Sequence, residues 1–586
     1  MREARVSDNT DRIRSILERI YGEETGRRTL RRLEDLLNTT VSGIPRQDEQ
    51  QVQGLPLDER DALVITYGDS LKRPGKSPLA CLRDFAEERL RGVVSGLHIL
   101  PFFPYSSDDG FSIIDYYQVN PELGGWDEIR DISKGFKIMS DLVLNHCSVS
   151  SPWFEAFLRG EPEYRNFFID VDPATDLSMI ARPRTHPLLT PFETKEGIKH
   201  VWTTFSADQV DLNFAEPEVL LEMLRVMLYH IQQGVRIIRL DAIAYLWKEI
   251  GHPSIHHEKT HAVVKLFRAV IDRVAPWVVI ITETNVPHRE NISYFGNMDD
   301  EAHMVYQFSL PPLVLDAFLR ENGEKLKKWA RELPEPDGKT TFFNFLASHD
   351  GIGLLPAHGI LSSEEIEGLV ENTRRRGGLI NYKSTPQGEI PYEMNITYLD
   401  AVAERDLPVS VRARKFLASQ AVMLSLPGVP GIYIHSLLGS QNYREGVERS
   451  GQNRSINRQK LEYSQVEEEL DTPGGLRNRI FSGFEQMLQA RRASRAFHPG
   501  GGMRVLSSDK EVLALLRIAP DESQTVLVLI NLSPSLKGCR LPEKELPKPI
   551  RSTYTELIRR RPVTAVLDGE HIEFQLEGFG VYWLQG

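Results

Sequence analysis

The chain has 586 residues, of which 41% are hydrophobic and 26% charged, and its formal net charge is −12. Its length predicts one large domain with additions, or two to four domains, and its composition is that of a globular protein. The acidic balance argues against a nucleic-acid partner, which calls for a basic surface.

Residues 10–40 read as helices, with Ile13, Ile16, Leu17 and Ile20 on one apolar stripe, followed by a polar connector at 46–53. Short apolar runs then recur: "ALVITY" (62–67), "GLHILPFF" (96–103), "KIMSDLVLNH" (137–146) and "VRIIRLDAI" (235–243). Four more follow: "WVVIITETN" (277–285), "HMVYQFSL" (303–310), "TFFNFLASHD" (341–350) and "GVPGIYIHS" (428–436). Their hydrophobicity is continuous rather than alternating, as in strands buried on both faces of a parallel sheet. Helical patterns lie between them, clearest at 218–234 and 259–276. Eight strands alternating with helices predict an α/β fold, a (β/α)8 TIM barrel.

Two intervals, about 147–215 and 351–410, are too long for simple crossovers and follow strands at the end where such barrels carry active-site loops. From about 500 onward, "VLALLRIA", "QTVLVLINLS", "HIEFQL" and "GVYWLQG" are short strands with turns between them, predicting an antiparallel C-terminal β domain. The expected organisation is a helical segment at 1–60, a barrel at 61–495 with these two insertions, and a β domain at 496–586.

Cys81, Cys147 and Cys539 are too widely spaced for a disulfide framework or a cysteine zinc site. The opening "MREARVSDNTDRIRS" is too charged for a signal peptide, and no apolar run reaches the roughly 18 residues of a membrane span. The expectation is a cytoplasmic protein, monomer or homodimer, acting on small molecules and engaging neither membrane nor nucleic acid.

One short motif points elsewhere. "HEKTH" (257–261) fits the H-E-x-x-H pattern in which two histidines four apart on a helix hold zinc and the glutamate activates its water. It lacks the H-E-x-x-H-x-x-G-x-x-H extension and runs straight into an apolar helix. A helix start, with Thr260 or Glu258 helping to begin it, is the better reading.

Polar groups terminate several of the apolar strands. The third ends in Asp141, Asn145 and His146, the fourth in Arg239 and Asp241, the fifth in Glu283, and the seventh in His349 and Asp350. In a barrel such residues converge on one mouth and read as catalytic.

"VRIIRLDAIAY", "IITETN", "LASHDG" and "DLVLNH" resemble, in order, signature regions of the α-amylase family of glycoside hydrolases (family 13), and "SSDDGFSIIDYYQV" resembles its glucose-pocket segment. Within the family the likeness is to the sucrose-phosphorylase subfamily, carried by "ARPRTHPLLTPFETKEGIKHVWTTFSADQVDLNF", "QFSLPPLVLDAF", "SHDGIGLLP" and "RSINRQK". With "ITETNVPH" and "DDEAHMVYQFSLPPLVL", these look most like the members that act on glucosylglycerate.

The resemblance implies a retaining phosphorylase that converts 2-O-α-glucosylglycerate and phosphate to α-glucose 1-phosphate and glycerate. Sucrose or sucrose 6′-phosphate phosphorolysis is the alternative, and an inactive amylase-fold partner protein is the alternative of another class. Retention needs two carboxyls about 5–5.5 Å apart, which adjacent strand ends can supply. Asp241 would be the nucleophile, kept ionised by Arg239 two residues earlier on the same strand face. Glu283 would be the acid/base and Asp350 the transition-state stabiliser. His146 and His349 would donate to the same glucose. The pocket floor would add Phe111 stacking on the sugar and Asp108 or Asp109 pairing with Arg458. "SDDGF" is one residue shorter than its sucrose-phosphorylase counterpart, which leaves open which aspartate faces the sugar.

On the acceptor side, Arg184 matches the phosphate-binding position of sucrose phosphorylases, and Tyr245 and Gln209 match residues lining that side. Asn285 stands where those enzymes have histidine. His358 and the run Arg374 to Arg376 lie in a loop that also differs. These departures cast doubt on fructose as acceptor and suit an anionic one, with Arg184, His358 or the arginine run as its cationic partner. Asn145 matches an amylase calcium ligand, but the sucrose-phosphorylase relatives do without calcium. No metal or cofactor is expected, and inorganic phosphate is a co-substrate.

Overall fold

The computed structural model describes residues 2–45, 54–183, 186–385 and 388–586. The connector expected at 46–53 lies outside them.

All eight apolar runs form parallel strands of one closed barrel: β1 (Leu63–Thr66), β2 (Gly96–Ile99), β3 (Lys137–Val143), β4 (Val235–Asp241), β5 (Val279–Thr282), β6 (Met304–Tyr306), β7 (Thr341–Phe345) and β8 (Val429–Tyr433). Neighbours follow chain order around the ring, and β1 closes it by pairing with both β2 and β8. The strands are buried on both faces, which is why their sequences do not alternate. Gly431 in β8 leaves the space that the Phe343 ring of β7 occupies, since a Cβ there would overlap the ring.

The N-terminal helices α1 (Arg2–Tyr21) and α2 (Glu23–Thr40) lie against the barrel's outer helices α3 (Pro217–Gln232) and α4 (Glu258–Val274). Arg12 pairs with Asp272 at 3.0 Å, Arg273 with Glu34 at 2.6 Å, and the Tyr21 hydroxyl donates to the Phe214 carbonyl at 2.9 Å.

Beyond β8 and its helices, the chain builds a six-stranded sheet and a three-stranded antiparallel sheet from residues 502–585, around a core of their own. Arg517 and Trp583 tie this part to the barrel through the Ser425 carbonyl and hydroxyl, at 2.9 and 3.1 Å.

The insertion after β3 carries a hairpin, Leu189–Thr194 with Gly197–Trp202. The insertion after β7 carries a helix, Ser363–Arg375, and a second hairpin, Leu379–Thr385 with Gly388–Asn395. Both emerge at the C-terminal mouth of the barrel. Among the described residues no helix is long and apolar enough to cross a membrane.

Candidate active site

The register of β4 and β5 sets the centre of the site. Ile281 pairs with Arg239 and Thr282 with Leu240, and the Glu283 amide donates to the Leu240 carbonyl at 3.1 Å. Asp241 and Glu283 therefore end adjacent strands side by side. Strands so paired lie about 4.7–4.9 Å apart, close to the carboxyl separation of retaining glycosidases.

Arg239 and Asp241 are two residues apart and share a strand face. Arg239 Nη1 lies 2.5 Å from Asp241 Oδ1 and 2.5 Å from Asp141 Oδ1, while Nη2 is 3.8 Å from Glu283 Oε2. Asp141 is held in turn by His98 Nε2 at 2.8 Å. Ala242, directly after Asp241, adopts the left-handed conformation (φ 47°), and its N–H donates to Glu283 Oε2 at 3.0 Å. A non-glycine residue held in that region beside the chemistry is local strain used to aim the Ala242 N–H.

Burial raises the Asp241 carboxyl to about 8, against the pull of Arg239 and with the push of the neighbouring Glu283. Burial also raises Glu283, again against Arg239 and with the push of Asp350. Two such carboxyls retain one proton between them near neutral pH. Because Arg239 touches Asp241 and stands off from Glu283, the charge belongs on Asp241 and the proton on Glu283. That is the division of labour a nucleophile and a general acid require.

Asp350 is set differently. Burial opposes its ionisation, but Arg454, His349, Arg458 and Arg239 outweigh burial and hold its carboxyl well below the usual range. The strongest of these, Arg454, lies 2.6 Å from Asp350 Oδ1 through Nη1 and bonds both carboxylate oxygens of Glu393 at 3.0 and 2.6 Å.

Asp108, Phe111, His146, Gln209, His349 and Asp350 line the pocket. The Phe111 and His349 rings stack 4.9 Å apart at 9°. Gln209 donates to Asp108 at 3.1 Å, and His146 Nε2 lies 3.1 Å from the Phe111 carbonyl, so its donor is already engaged by the backbone. Burial keeps both His146 and His349 below the usual histidine range, hence neutral.

The two aspartates separate. Asp108 faces the pocket, whereas Asp109 pairs with Arg458, which also donates to the His349 carbonyl at 2.8 Å. Both aspartates have positive φ (55° and 49°) and precede Gly110 (φ 112°), where a Cβ would stand 2.8 Å from the Pro101 carbonyl. This tight turn is what splays the two carboxylates apart.

Tyr245, Asn285, Leu355, Lys383 and Tyr392 also line the pocket. The Asn285 side-chain oxygen is buried there without a hydrogen-bond partner among the described residues. Pro183 also lines the pocket, but its neighbour Arg184 lies outside the described residues.

Other expected acceptor groups do not reach the site. His358 is exposed beyond the short turn Leu355–Ala357, which sends Leu355 inward in its place. Arg374 and Arg375 finish the Ser363–Arg375 helix; Arg374 bonds the Tyr382 hydroxyl at 2.5 Å and Arg375 bonds Asn372 at 3.2 Å. Arg376 pairs with Glu404. The pocket's cations from this insertion and its surroundings are instead Lys383 and Arg454. Arg454 stands four residues before Arg458 in "RSINR", and that spacing was the available signal for it.

The H-E-x-x-H histidines go separate ways. His257 is the N-cap of α4, its Nδ1 accepting from the Lys259 amide at 3.1 Å while Nε2 meets Glu249 at 3.0 Å. His261 bonds Glu301 at 2.8 Å. The helix does start here: Glu258 is its first residue and lies in its first turn, His257 caps it, and the Thr260 hydroxyl accepts from the Trp247 amide at 3.2 Å. Among the described residues no cluster of three or more such ligands could hold a metal.

Asn145 has a cation of the chain's own. The Lys248 ammonium lies 2.5 Å from Asn145 Oδ1 and 2.7 Å from Asp211 Oδ2, in a buried position. A divalent ion does not fit where that ammonium sits.

Residues 92–351 match the α-amylase family's catalytic domain. The chain is 58% identical over 577 residues to a glucosylglycerate phosphorylase of Spirochaeta thermophila, covering 98% of each chain. It is 29% identical to a sucrose phosphorylase of Agrobacterium vitis, over 77% of this chain and 91% of that one. Among solved structures, a sucrose 6F-phosphate phosphorylase from Thermoanaerobacter thermosaccharolyticum superposes with a TM-score of 0.70 at 25% identity, over 81% of this chain and 94% of that one.

Proposed function

The chain belongs to the α-amylase family and, within it, to the glucosylglycerate phosphorylases, and on that premise we propose that it carries out the reversible phosphorolysis of 2-O-α-glucosylglycerate to α-glucose 1-phosphate and glycerate by double displacement. The observation that carries the chemistry is Arg239 touching Asp241 at 2.5 Å while standing 3.8 Å from Glu283.

In this reading the glucosyl ring sits against Phe111, His349 and Asp108. Asp241 attacks the anomeric carbon from the face opposite the glyceryl oxygen, and Glu283 gives that oxygen its proton. The C–O bond to glycerate breaks as the ester to Asp241 forms. Asp350, kept ionised by Arg454, faces the ring where positive charge develops. Phosphate then enters in place of glycerate, Glu283 takes its proton, and attack on the β-linked ester restores the α configuration.

No resident metal or cofactor is part of this proposal. Lys248 supplies the positive charge at Asn145 and Asp211. Small molecules suffice as partners, in keeping with the net charge of −12, and the three free, buried cysteines suit a reducing cytoplasm.

An acceptor competition tests the substrate. With glucose 1-phosphate as donor, D-glycerate, L-glycerate, glycerol, fructose and fructose 6-phosphate are compared at equal concentration by phosphate release. D-glycerate is expected to lead. Fructose or fructose 6-phosphate in first place would reassign the acceptor.

A further inference from the structure

An anionic acceptor entering this pocket meets the carboxyl groups of Asp108, Asp241, Glu283 and Asp350. It needs a cation not already spent on one of them. Arg454 lines the pocket but is committed to two carboxylates, Asp350 and Glu393. Arg239 and Arg458 are buried beneath, paired with Asp141, Asp241 and Asp109. Lys383 differs: it lines the pocket, is half-buried, and its ammonium has no hydrogen-bond or ion-pair partner among the described residues.

The hairpin that carries Lys383 is built to aim it. Tyr382 pairs with Pro391 and Asn381 with Glu393, so Tyr392 is the extra residue of a β-bulge. Bulges beside active sites redirect side chains, and Tyr392 lines the pocket with Lys383. Asn381 anchors the base of the hairpin, donating to Glu393 Oε1 at 3.2 Å and accepting from Asn453 at 2.7 Å. Glu393 is in turn held by Arg454. The contacts that pin Asp350 thus also fix the strand bearing Lys383.

We propose that Lys383 is the specificity-determining residue of the acceptor subsite, its ammonium holding the anionic oxygens of the incoming group, whether the carboxylate of an organic acceptor or inorganic phosphate. This rests on the phosphorylase reading above and names the residue that makes an anion preferred over a neutral alcohol.

The test uses α-glucosyl fluoride as donor, so that forming the glucosyl-enzyme releases fluoride and leaves no phosphate from the donor in the acceptor subsite. Glycerate, phosphate and glycerol then compete for it, and products are quantified as ratios within one enzyme sample, which cancels any loss of folded protein. In Lys383→Met the glycerate-to-glycerol and phosphate-to-glycerol ratios are expected to fall about 10- to 100-fold, the worth of one charge-assisted hydrogen bond. Lys383→Arg should keep most of the preference. A fall confined to glycerate assigns the residue to the carboxylate, and one confined to phosphate assigns it to phosphate. Both ratios within twofold of wild type would overturn the proposal. A wild-type enzyme that itself prefers glycerol or fructose to glycerate would sink the substrate reading instead, so the two failures are separable.

Discussion

Arg239 Nη1 lies 2.5 Å from Asp241 Oδ1, and the same nitrogen lies 2.5 Å from Asp141. One guanidinium thus serves two carboxylates, and its remaining reach stops 3.8 Å short of Glu283. That asymmetry makes Asp241 the anion of the pair. Asp241→Asn should lower turnover by about 10⁴-fold or more, because the amide cannot form the glucosyl ester. Thermal unfolding and phosphorolysis rate measured on the same preparation check this. Substantial residual turnover in a folded variant would remove Asp241 from the nucleophile role.

The acid/base assignment separates donors by leaving group. Glu283→Gln should slow cleavage of poor leaving groups by about 10²–10⁴-fold while barely affecting α-glucosyl fluoride activation. Azide should restore turnover and yield α-glucosyl azide, since it attacks the β-linked glucosyl-enzyme without a general base. Equal losses on all donors, with no azide product, would exclude Glu283.

The shared proton sets an alkaline limit. Glu283 must be protonated to act on the glucoside, and the pair retains one proton up to about pH 8. The kcat/KM for phosphorolysis should therefore fall as pH rises through about 8. In Glu283→Gln that descending limb should vanish from the residual activity.

Arg454 is expected to act through Asp350. With Arg454 present, Asp350 stays ionised far into acid. Arg454→Met removes the nearest opposing charge, so the Asp350 carboxyl should rise and the acid limb of kcat/KM should move upward in pH. A variant that loses activity equally at every pH would limit Arg454 to structural support of Glu393 and the hairpin.

Lys248 gives a prediction about metal. Chelators should leave activity unchanged. Lys248→Met strands the buried Asp211 carboxylate and should destabilise the protein by about 3–5 kcal/mol. Calcium-dependent activity in the wild-type enzyme would contradict this placement.

The barrel was legible because buried parallel strands leave continuous apolar runs, and all eight runs form its strands. The strand-end residues were legible for the same reason: Asp141, Arg239, Asp241, Glu283 and Asp350 are polar where an apolar run stops. The insertions obey no such period. Lys383 enters the pocket through a bulge that leaves no local pattern, and Arg454, signalled only by its spacing from Arg458, is held by two partners 61 and 104 residues away in the chain. His358 and the Arg374–Arg376 run looked equally basic in sequence, but their backbones turn them elsewhere. His257 fitted a zinc-ligand pattern at what reads as a helix start, and its ring caps that helix, α4.

The most direct measurement follows 2-O-α-glucosylglycerate and inorganic phosphate with purified enzyme by ³¹P and ¹H NMR. Double displacement through Asp241 predicts α-glucose 1-phosphate and glycerate in equal amounts, approaching the same equilibrium from either side. β-Glucose 1-phosphate as first product would contradict the covalent intermediate, and free glucose in place of the ester would make the protein a hydrolase.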